Sequence, residues 1–324
     1  LIIGDNCLES TIFDIHRLST HDGPGMRTVL FLKGCTLRCR WCQNPESFRI
    51  QQEVWHYPQN CIGCGHCIDI CPEGALKRDV TNGIKINQSV CTGCGLCADQ
   101  CPGKALKKNG QNYTTTEIEQ ILDKEKPFMI KSGGGVTISG GEPLIQADAV
   151  TEIFKKAIAN SISTALDTCG QIPWSSFEKV LPYTDLVLYD LKHIDPDKHK
   201  QLTGTDNHLI QENLIKLVEY IQQPENNTSL WIRTPLIPGA TLEKSNIKGI
   251  ARFLMNNLPD KFDRWELCAF NPLPIEKYDR LGMDWEYRDI PLLTKEEGTQ
   301  ALFWAQSLSF DPEKIILTGL TSND

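Results

Sequence analysis

The sequence predicts an α/β fold: a parallel sheet wound into a partial (β/α)6-type TIM barrel and interrupted by a small cysteine-rich insert. Three observations predict it. Short β-branched runs alternate with amphipathic stretches, eleven of the fourteen cysteines crowd between positions 35 and 101, and polar motifs fall at the ends of successive strand-like runs.

The predicted strands are RTVLFLK (27–33), GVTIS (135–139), ISTALDT (162–168), DLVLYDLK (185–192), SLWIRTPL (229–236), WELCAF (265–270) and EKIILTG (313–319). Helix-like segments lie between them, such as ADAVTEIFKKAIANS (147–161) and LIQENLIKLVEYIQ (209–222). In the latter, Leu214, Leu217, Val218 and Ile221 share a face at helical periodicity. Strand–helix alternation implies a parallel sheet with right-handed crossovers, and six or seven repeats suggest a full or partial barrel.

Composition narrows the function classes. A net charge of −8 and a pI near 5.5 argue against general nucleic-acid binding, which needs a basic face. No run of eighteen apolar residues occurs, so no membrane-spanning helix is expected. The start, LIIGDNCLESTIFDIHR, lacks the basic and long apolar regions of a signal peptide. Disulfide frameworks belong to short secreted chains, so these cysteines read as metal ligands in a reducing cytoplasm.

Eight of the cysteines form an internal repeat. CIGCGHCIDICP (61–72) and CTGCGLCADQCP (91–102) each read C-x2-C-x2-C-x3-C-P, the bacterial ferredoxin pattern for two [4Fe–4S] clusters. In that pattern the fourth cysteine of each run serves the other cluster. Cys61, Cys64, Cys67 and Cys101 are therefore assigned to one cube, and Cys91, Cys94, Cys97 and Cys71 to the second. Paired zinc ribbons are the competing reading, but they use separated C-x2-C knuckles rather than four cysteines within eleven residues. The expected domains are a ferredoxin-like insert over 53–108 and a frame built from 1–52 and 109–324. His66 needs no ligand role, since eight cysteines fill two cubes.

FLKGCTLRCRWCQNPES (31–47) is different. Cys35, Cys39 and Cys42 follow C-x3-C-x2-C with no fourth cysteine nearby. A cube on three thiolates leaves one iron without a protein ligand, and an open position marks a catalytic metal. This run follows the first strand, SGGEP ends the second, DTCG the third, DLK the fourth, RTPLIPG the fifth and FNPLP the sixth. In such barrels the site lies at the carboxyl ends of the strands, so these motifs are expected to share one rim.

C-x3-C-x-aromatic-C, with Trp41, resembles the signature of the radical S-adenosylmethionine (SAM) superfamily. STHDGPGMRTVLFLKGC, SGGGVTISGGEPLIQ, LDTCG, LVLYDLK and WIRTPLIPG together resemble the activating enzymes of glycyl radical enzymes, from about Thr11 to Gly282. The insert is similar to that of the larger activases. These serve glycerol or propanediol dehydratases, choline and isethionate lyases, arylacetate decarboxylases and benzylsuccinate synthase. The resemblance implies that SAM chelates the free iron. One electron then cleaves it to methionine and a 5′-deoxyadenosyl radical that abstracts hydrogen, with the cofactor carrying the radical chemistry.

The resemblance also implies residue roles. Trp41 and Gln43 line the adenine side, and Ser139, Gly140, Gly141 and Glu142 hold the methionine amino group through backbone and carboxylate. Asp190, Leu191 and Lys192 supply ribose and carboxylate contacts, against the alternative of a strand-end ion pair. Asp167 and Thr168 help bind a monovalent cation beside SAM. Arg233 pairs with the SAM carboxylate or caps the rim. Asp22 helps receive the partner's glycine loop, against the alternative of a plain turn.

By the same resemblance, Asn271 stands where the pyruvate formate-lyase activase, which lacks such an insert, has His, and Cys169 where it has Asn. Cys169 reads as a small filler and Cys268 as a core thiol; Cys7, His16, His21 and His193 carry no independent chemical claim.

The expected function is Cα hydrogen abstraction from a glycine of a partner glycyl radical enzyme. Flavodoxin or ferredoxin would donate the electron, and the cofactors would be three [4Fe–4S] clusters, SAM and a monovalent cation. No nucleic acid and no membrane enter. The insert cubes either relay electrons or staple the insert. Rival readings are a radical SAM enzyme acting on a small molecule or peptide, and a ferredoxin-type electron carrier.

Overall fold

The protein is described by a computed structural model covering residues 8–259, 261–308 and 311–322; Cys7 lies outside the described residues. The chain opens with an antiparallel pair, β1 (Glu9–Ser19) and β2 (Arg27–Leu32), before the cysteine loop. A small module follows, comprising β3 (Glu53–His56), α1 (His66–Asp69), β4 (Leu76–Asp79), β5 (Gly83–Ile86), α2 (Leu96–Asp99) and β6 (Leu106–Asn109).

The frame then resumes with β7 (Gln111–Thr114), α3 (Thr115–Ser132), β8 (Gly135–Gly140), α4 (Ala147–Ala159), β9 (Ser163–Thr168) and α5 (Trp174–Val180). It continues through β10 (Leu186–Asp190), α6 (Pro196–Thr203), α7 (His208–Ile221), β11 (Ser229–Leu236), α8 (Lys244–Asn257) and β12 (Arg264–Ala269). It ends with α9 (Ile275–Leu281), α10 (Lys295–Gln306) and β13 (Ile315–Thr318).

Nine strands form one sheet in the order β13-β12-β11-β10-β9-β8-β2-β1-β7. From β2 to β13 every pairing is parallel and spatial order follows chain order. With no reversal of order, right-handed crossovers place all the helices on one face. The sheet stays open between β7 and β13. All seven predicted strands are present, with ends shifted by no more than two residues.

β1 is an addition to the sequence reading. Its run ESTIFDIHRLS alternates poorly and lies largely exposed, so hydrophobic pattern could not mark it; pairing with β2 and β7 makes it a strand. Within α3, Pro127 masks the helix, which is held instead by a Thr114–Glu117 capping box and the left-handed Gly133 beyond its last turn.

The strands are two-faced. Val136, Ile138, Leu166, Val187, Tyr189, Ile232, Trp265 and Leu267 join the helices in the main core. The opposite face carries a small apolar floor in which Ala165, Leu186 and Leu188 pack against Trp231. Toward the carboxyl ends that face turns polar. Asp190 pairs in register with Arg233, and Arg233 with Glu266, so three charged side chains form one row across three strands.

The module has its own core of Val54, Ala75, Leu76, Ile84, Cys97 and Leu106. Its two halves repeat at an offset of 30, from Glu53 to Gly83, His66 to Leu96 and Leu76 to Leu106. Pairing is crossed: β3 of the first half pairs β6 of the second, and β4 pairs β5.

The junction of β8 with the cysteine loop is the tightest place in the frame. A methyl on Gly141 would sit 2.0 Å from the Gly34 carbonyl, and one on Gly140 2.3 Å from the Leu32 nitrogen. Backbone lies on both sides, so neither clash relaxes cheaply. Gly141→Ala is expected to destabilise the protein by about 2–4 kcal/mol, read as a lower midpoint in urea with an unchanged slope; an unaltered midpoint would refute the close approach.

Candidate active site

Cys35, Cys39 and Cys42 occupy the loop that leaves β2. The Leu37 amide donates to Cys35 Sγ at 3.4 Å and the Asn44 amide to Cys42 Sγ at 3.4 Å. The loop is pinned to α6 through Arg38 N to Thr203 O at 2.7 Å and Arg40 N to Leu202 O at 3.1 Å. Burial pushes the Cys39 thiol up to about 12 and Cys42 well above its usual range, with the other loop sulfurs adding repulsion. The ammonium of Lys192 opposes that rise at Cys39. Such thiols give up their protons to a metal rather than to water.

The segment after β8 is stitched to the same loop by Gly141 N to Leu32 O at 2.9 Å and Glu142 N to Gly34 O at 2.7 Å. Glu142 is fully buried. Its carboxylate accepts from Leu144 N at 3.1 Å, Thr168 Oγ1 at 2.8 Å and Cys169 N at 2.9 Å. Three donors and no exposed surface commit this carboxylate to the protein itself. Burial raises its pKa against those hydrogen bonds.

Cys169 is held there against the cysteine loop. A hydrogen bond from its thiol lowers the pKa of Cys35, against burial, and Cys169 Sγ lies 3.9 Å from Thr36 Oγ1. It therefore touches the cysteine loop instead of only filling space. Cys268 also departs from the core reading. It is half-buried and follows Glu266 on the polar face, where its charge would act on Arg233.

The rim is a charged network. Ser139 Oγ donates to Asp167 Oδ2 at 2.7 Å, and Arg233 reaches Asp167 at 3.5 Å, Glu266 at 2.9 Å and the His21 carbonyl at 2.8 Å. Lys192 pairs with Asp190, and Leu191 N donates to Arg233 O at 2.8 Å. Burial alone would lower the Lys192 pKa, but Asp190, Cys39 and Cys169 outweigh it and hold the ammonium charged. Burial raises Asp167 to about 6 despite Arg233. Asp22 accepts from Ser19 Oγ at 2.6 Å, and its carbonyl from Thr137 Oγ1 at 2.7 Å, so the HDGPG turn is fixed to this rim.

On the far side of the loop, Gln43 Nε2 donates to the Asn271 carbonyl at 3.1 Å, and Trp41 is buried in the main core. Two residues that no motif marked also meet the loop. Lys277 bonds Asn44 and Glu46, both at 2.8 Å, and Tyr278 OH donates to the Cys42 carbonyl at 3.0 Å. Lying more than 200 positions away, they left no local signal.

In the module, burial and then repulsion from Cys101, Cys64 and Cys61 raise the Cys67 thiol; burial and then chiefly Cys91 and Cys71 raise Cys97 to about 11. The chain thus gathers Cys61, Cys64, Cys67 and Cys101 in one place and Cys71, Cys91, Cys94 and Cys97 in another. The crossed cysteines have matching donors, Ala75 N to Cys71 Sγ and Ala105 N to Cys101 Sγ, both 3.3 Å. Amides aimed at sulfur suit an iron–sulfur ligand set. Among the described residues no three metal-ligating side chains converge as ligands of a single ion; thiolates around a cube bind separate irons. His66 instead meets Gln100 at 3.2 Å, while His193 is buried behind the rim and His16 pairs with Asp14 at the surface.

Residues 29–248 match the Radical SAM superfamily. The chain is 38% identical over 283 residues to the (2S)-3-sulfopropanediol dehydratase activating enzyme of Klebsiella oxytoca, covering 86% of this chain and 87% of that one. It is 36% identical to the choline trimethylamine-lyase activating enzyme of Oleidesulfovibrio alaskensis (86% and 88% covered). It is 35% identical to the trans-4-hydroxy-L-proline dehydratase activating enzyme of Clostridioides difficile (92% and 97% covered). A radical SAM methyltransferase from Sphaerobacter thermophilus shares the fold, with a TM-score of 0.52 at 14% identity over 95% of this chain and 73% of that one.

An open parallel sheet carrying a three-cysteine loop at its carboxyl rim thus has its relatives along nearly the whole chain, and the chain belongs to the radical SAM superfamily, among the activating enzymes of glycyl radical enzymes.

Proposed function

We propose that Cys35, Cys39 and Cys42 hold the [4Fe–4S] cluster of this family with one iron left to SAM, and that the polar face of a partial barrel shapes the SAM pocket. The observation that carries this reading is the convergence of the three thiols, the Gly140–Gly141 backbone and the Lys192 ammonium at one rim. When bound, the cluster and SAM together supply a 5′-deoxyadenosyl radical. The protein's own work is to bind, orient and shield.

Lys192, charged and beside Cys39, complements the SAM carboxylate. With Glu142 turned inward, Ser139, Gly140 and Gly141 offer backbone groups to the methionine amino group. Glu142 fixes their position by tying that segment to Thr168 and Cys169. Gln43 and Asn271 close the adenine side, while Trp41 is buried in the main core. Arg233 is already spanned by Asp167, Glu266 and the His21 carbonyl, which supports the rim-cap reading. Asp167 and Thr168 offer oxygen ligands to a monovalent cation.

The substrate is a glycine loop of a partner glycyl radical enzyme, received beside the HDGPG turn at Asp22. Its Cα–H is the bond broken, and no general acid or base is required. The module over 53–108 is a ferredoxin-like insert with two further clusters, and flavodoxin or ferredoxin is the reductant.

Anaerobic reconstitution tests the site. Wild type should carry about twelve irons per chain and cleave SAM reductively. Cys35→Ala should lose SAM cleavage entirely while keeping about eight irons; cleavage surviving in that variant would displace the site from this loop.

Asp167 gives a pH test. Its pKa lies above the ordinary carboxylate value, so it is charged above about 6 and neutral below. Potassium should therefore tighten SAM binding at pH 8, lose that effect as pH falls through about 6, and have none at any pH in Asp167→Asn. A potassium effect persisting in the variant would remove Asp167 from the cation site.

A further inference from the structure

Cys169 belongs to neither cysteine pattern, yet it stands at the cysteine loop. It lies one residue beyond β9 and is buried. The backbone is fixed on both sides of it. Cys169 N donates to Glu142 Oε2 at 2.9 Å, and Gly170 N to Thr168 Oγ1 at 3.1 Å. The Gly170 carbonyl accepts from Asn213 Nδ2 at 2.9 Å, and a methyl on Gly170 would sit 2.0 Å from the Tyr189 hydroxyl oxygen. On the other side of Glu142, a methyl on Gly141 would lie 3.1 Å from Cys35 Cβ. A rigid frame thus delivers the Cys169 side chain to the loop.

The thiol has three polar neighbours: Cys35 Sγ, Thr36 Oγ1 at 3.9 Å and the Glu142 carboxylate. It has one proton to give. Glu142 already accepts from Leu144 N, Thr168 Oγ1 and Cys169 N, so it needs no fourth donor. Thr36 carries a hydroxyl that can itself donate to the Cys169 sulfur. Cys35, ionised as a ligand, can only accept, and it already accepts from Leu37 N at 3.4 Å. A chain from the Thr36 hydroxyl through the Cys169 thiol to the Cys35 sulfur serves every acceptor, and a donor polarised from behind is a stronger donor. Beside a buried carboxylate and an ionised Cys35, a second thiolate would add like charge, so Cys169 keeps its proton.

We infer that Cys169 is a positioning residue that acts through Cys35: its S–H donates to that ligand sulfur and raises the reduction potential of the cluster held by Cys35, Cys39 and Cys42. Hydrogen bonds to ligand sulfur are among the factors that set such a potential. One-electron reduction adds a negative charge to the cube and its thiolates, and a donor aimed at a sulfur complements the added charge. No bond forms or breaks in this step; the electron comes from an external reductant. The inference rests on the assignment of that cluster to the three-cysteine loop.

The test is an anaerobic redox titration of reconstituted holoenzyme with titanium(III) citrate, which is oxidised to titanium(IV), followed by electron paramagnetic resonance. The three-cysteine cluster is the component of the reduced spectrum that shifts when SAM is added and that Cys35→Ala lacks. Cys169→Ala and Cys169→Ser leave nearly the same space, but only Ser keeps a donor. At the wild-type midpoint the reduced-to-oxidised ratio of that component should fall about tenfold in Cys169→Ala, a midpoint about 59 mV lower. Cys169→Ser should stay within about twofold of wild type. Both variants should keep about twelve irons per chain. An unchanged ratio in Cys169→Ala, or an equal fall in Cys169→Ser, would return Cys169 to a packing role. Loss of about four irons in both variants would make it a ligand or an assembly residue and overturn the donor role as well. A wild-type spectrum with no SAM-responsive component would overturn the cluster assignment itself, and the inference with it.

Discussion

The site depends on one close approach of backbone to backbone. Gly140 and Gly141 lie where no side chain fits, against the end of β2, and hydrogen bonds to Leu32 and Gly34 weld the β8 rim to the start of the cysteine loop. Glu142 extends that weld to β9 through Thr168 and Cys169. A carboxylate buried without partners would cost several kcal/mol, and breaking a buried charged contact typically costs about 3–5 kcal/mol. With three donors the same group becomes a joint. Strand ends from β2, β8 and β9 therefore hold one geometry, and Cys169 reaches the Cys35 sulfur as a consequence.

Electrostatics works on the same rim. Row register places Asp190, Arg233 and Glu266 side by side, with Asp167 and Lys192 close by. Charges this dehydrated are tolerated because nearly every one faces an opposite charge or a directed hydrogen bond. In the function proposed above, this balanced lining is what receives the zwitterionic methionine half of SAM. The helix-facing side of the same strands is mainly apolar, with a few buried threonines such as Thr164 and Thr234, so one alternating pattern builds both core and polar face.

The module solves a different problem. Two half-units of similar sequence exchange strands and their last cysteines, so neither four-cysteine group can assemble without the other half. Crossed pairing gives a fold of under sixty residues more cohesion than its small apolar core supplies.

By itself the sequence determined the seven parallel strands, the cysteine groupings and the motifs of the rim. Strand and helix periods are local, and cluster ligands and tight glycine turns are spaced along the chain by the chemistry they serve. It could not show β1, whose exposed residues become a strand only through two neighbours. Nor could it show that Glu142 turns inward, that Cys169 touches Cys35, or that Lys277 and Tyr278 cross from α9 to the cysteine loop. Those contacts join residues separated by up to 236 positions, and only tertiary packing decides which distant side chains meet a given loop.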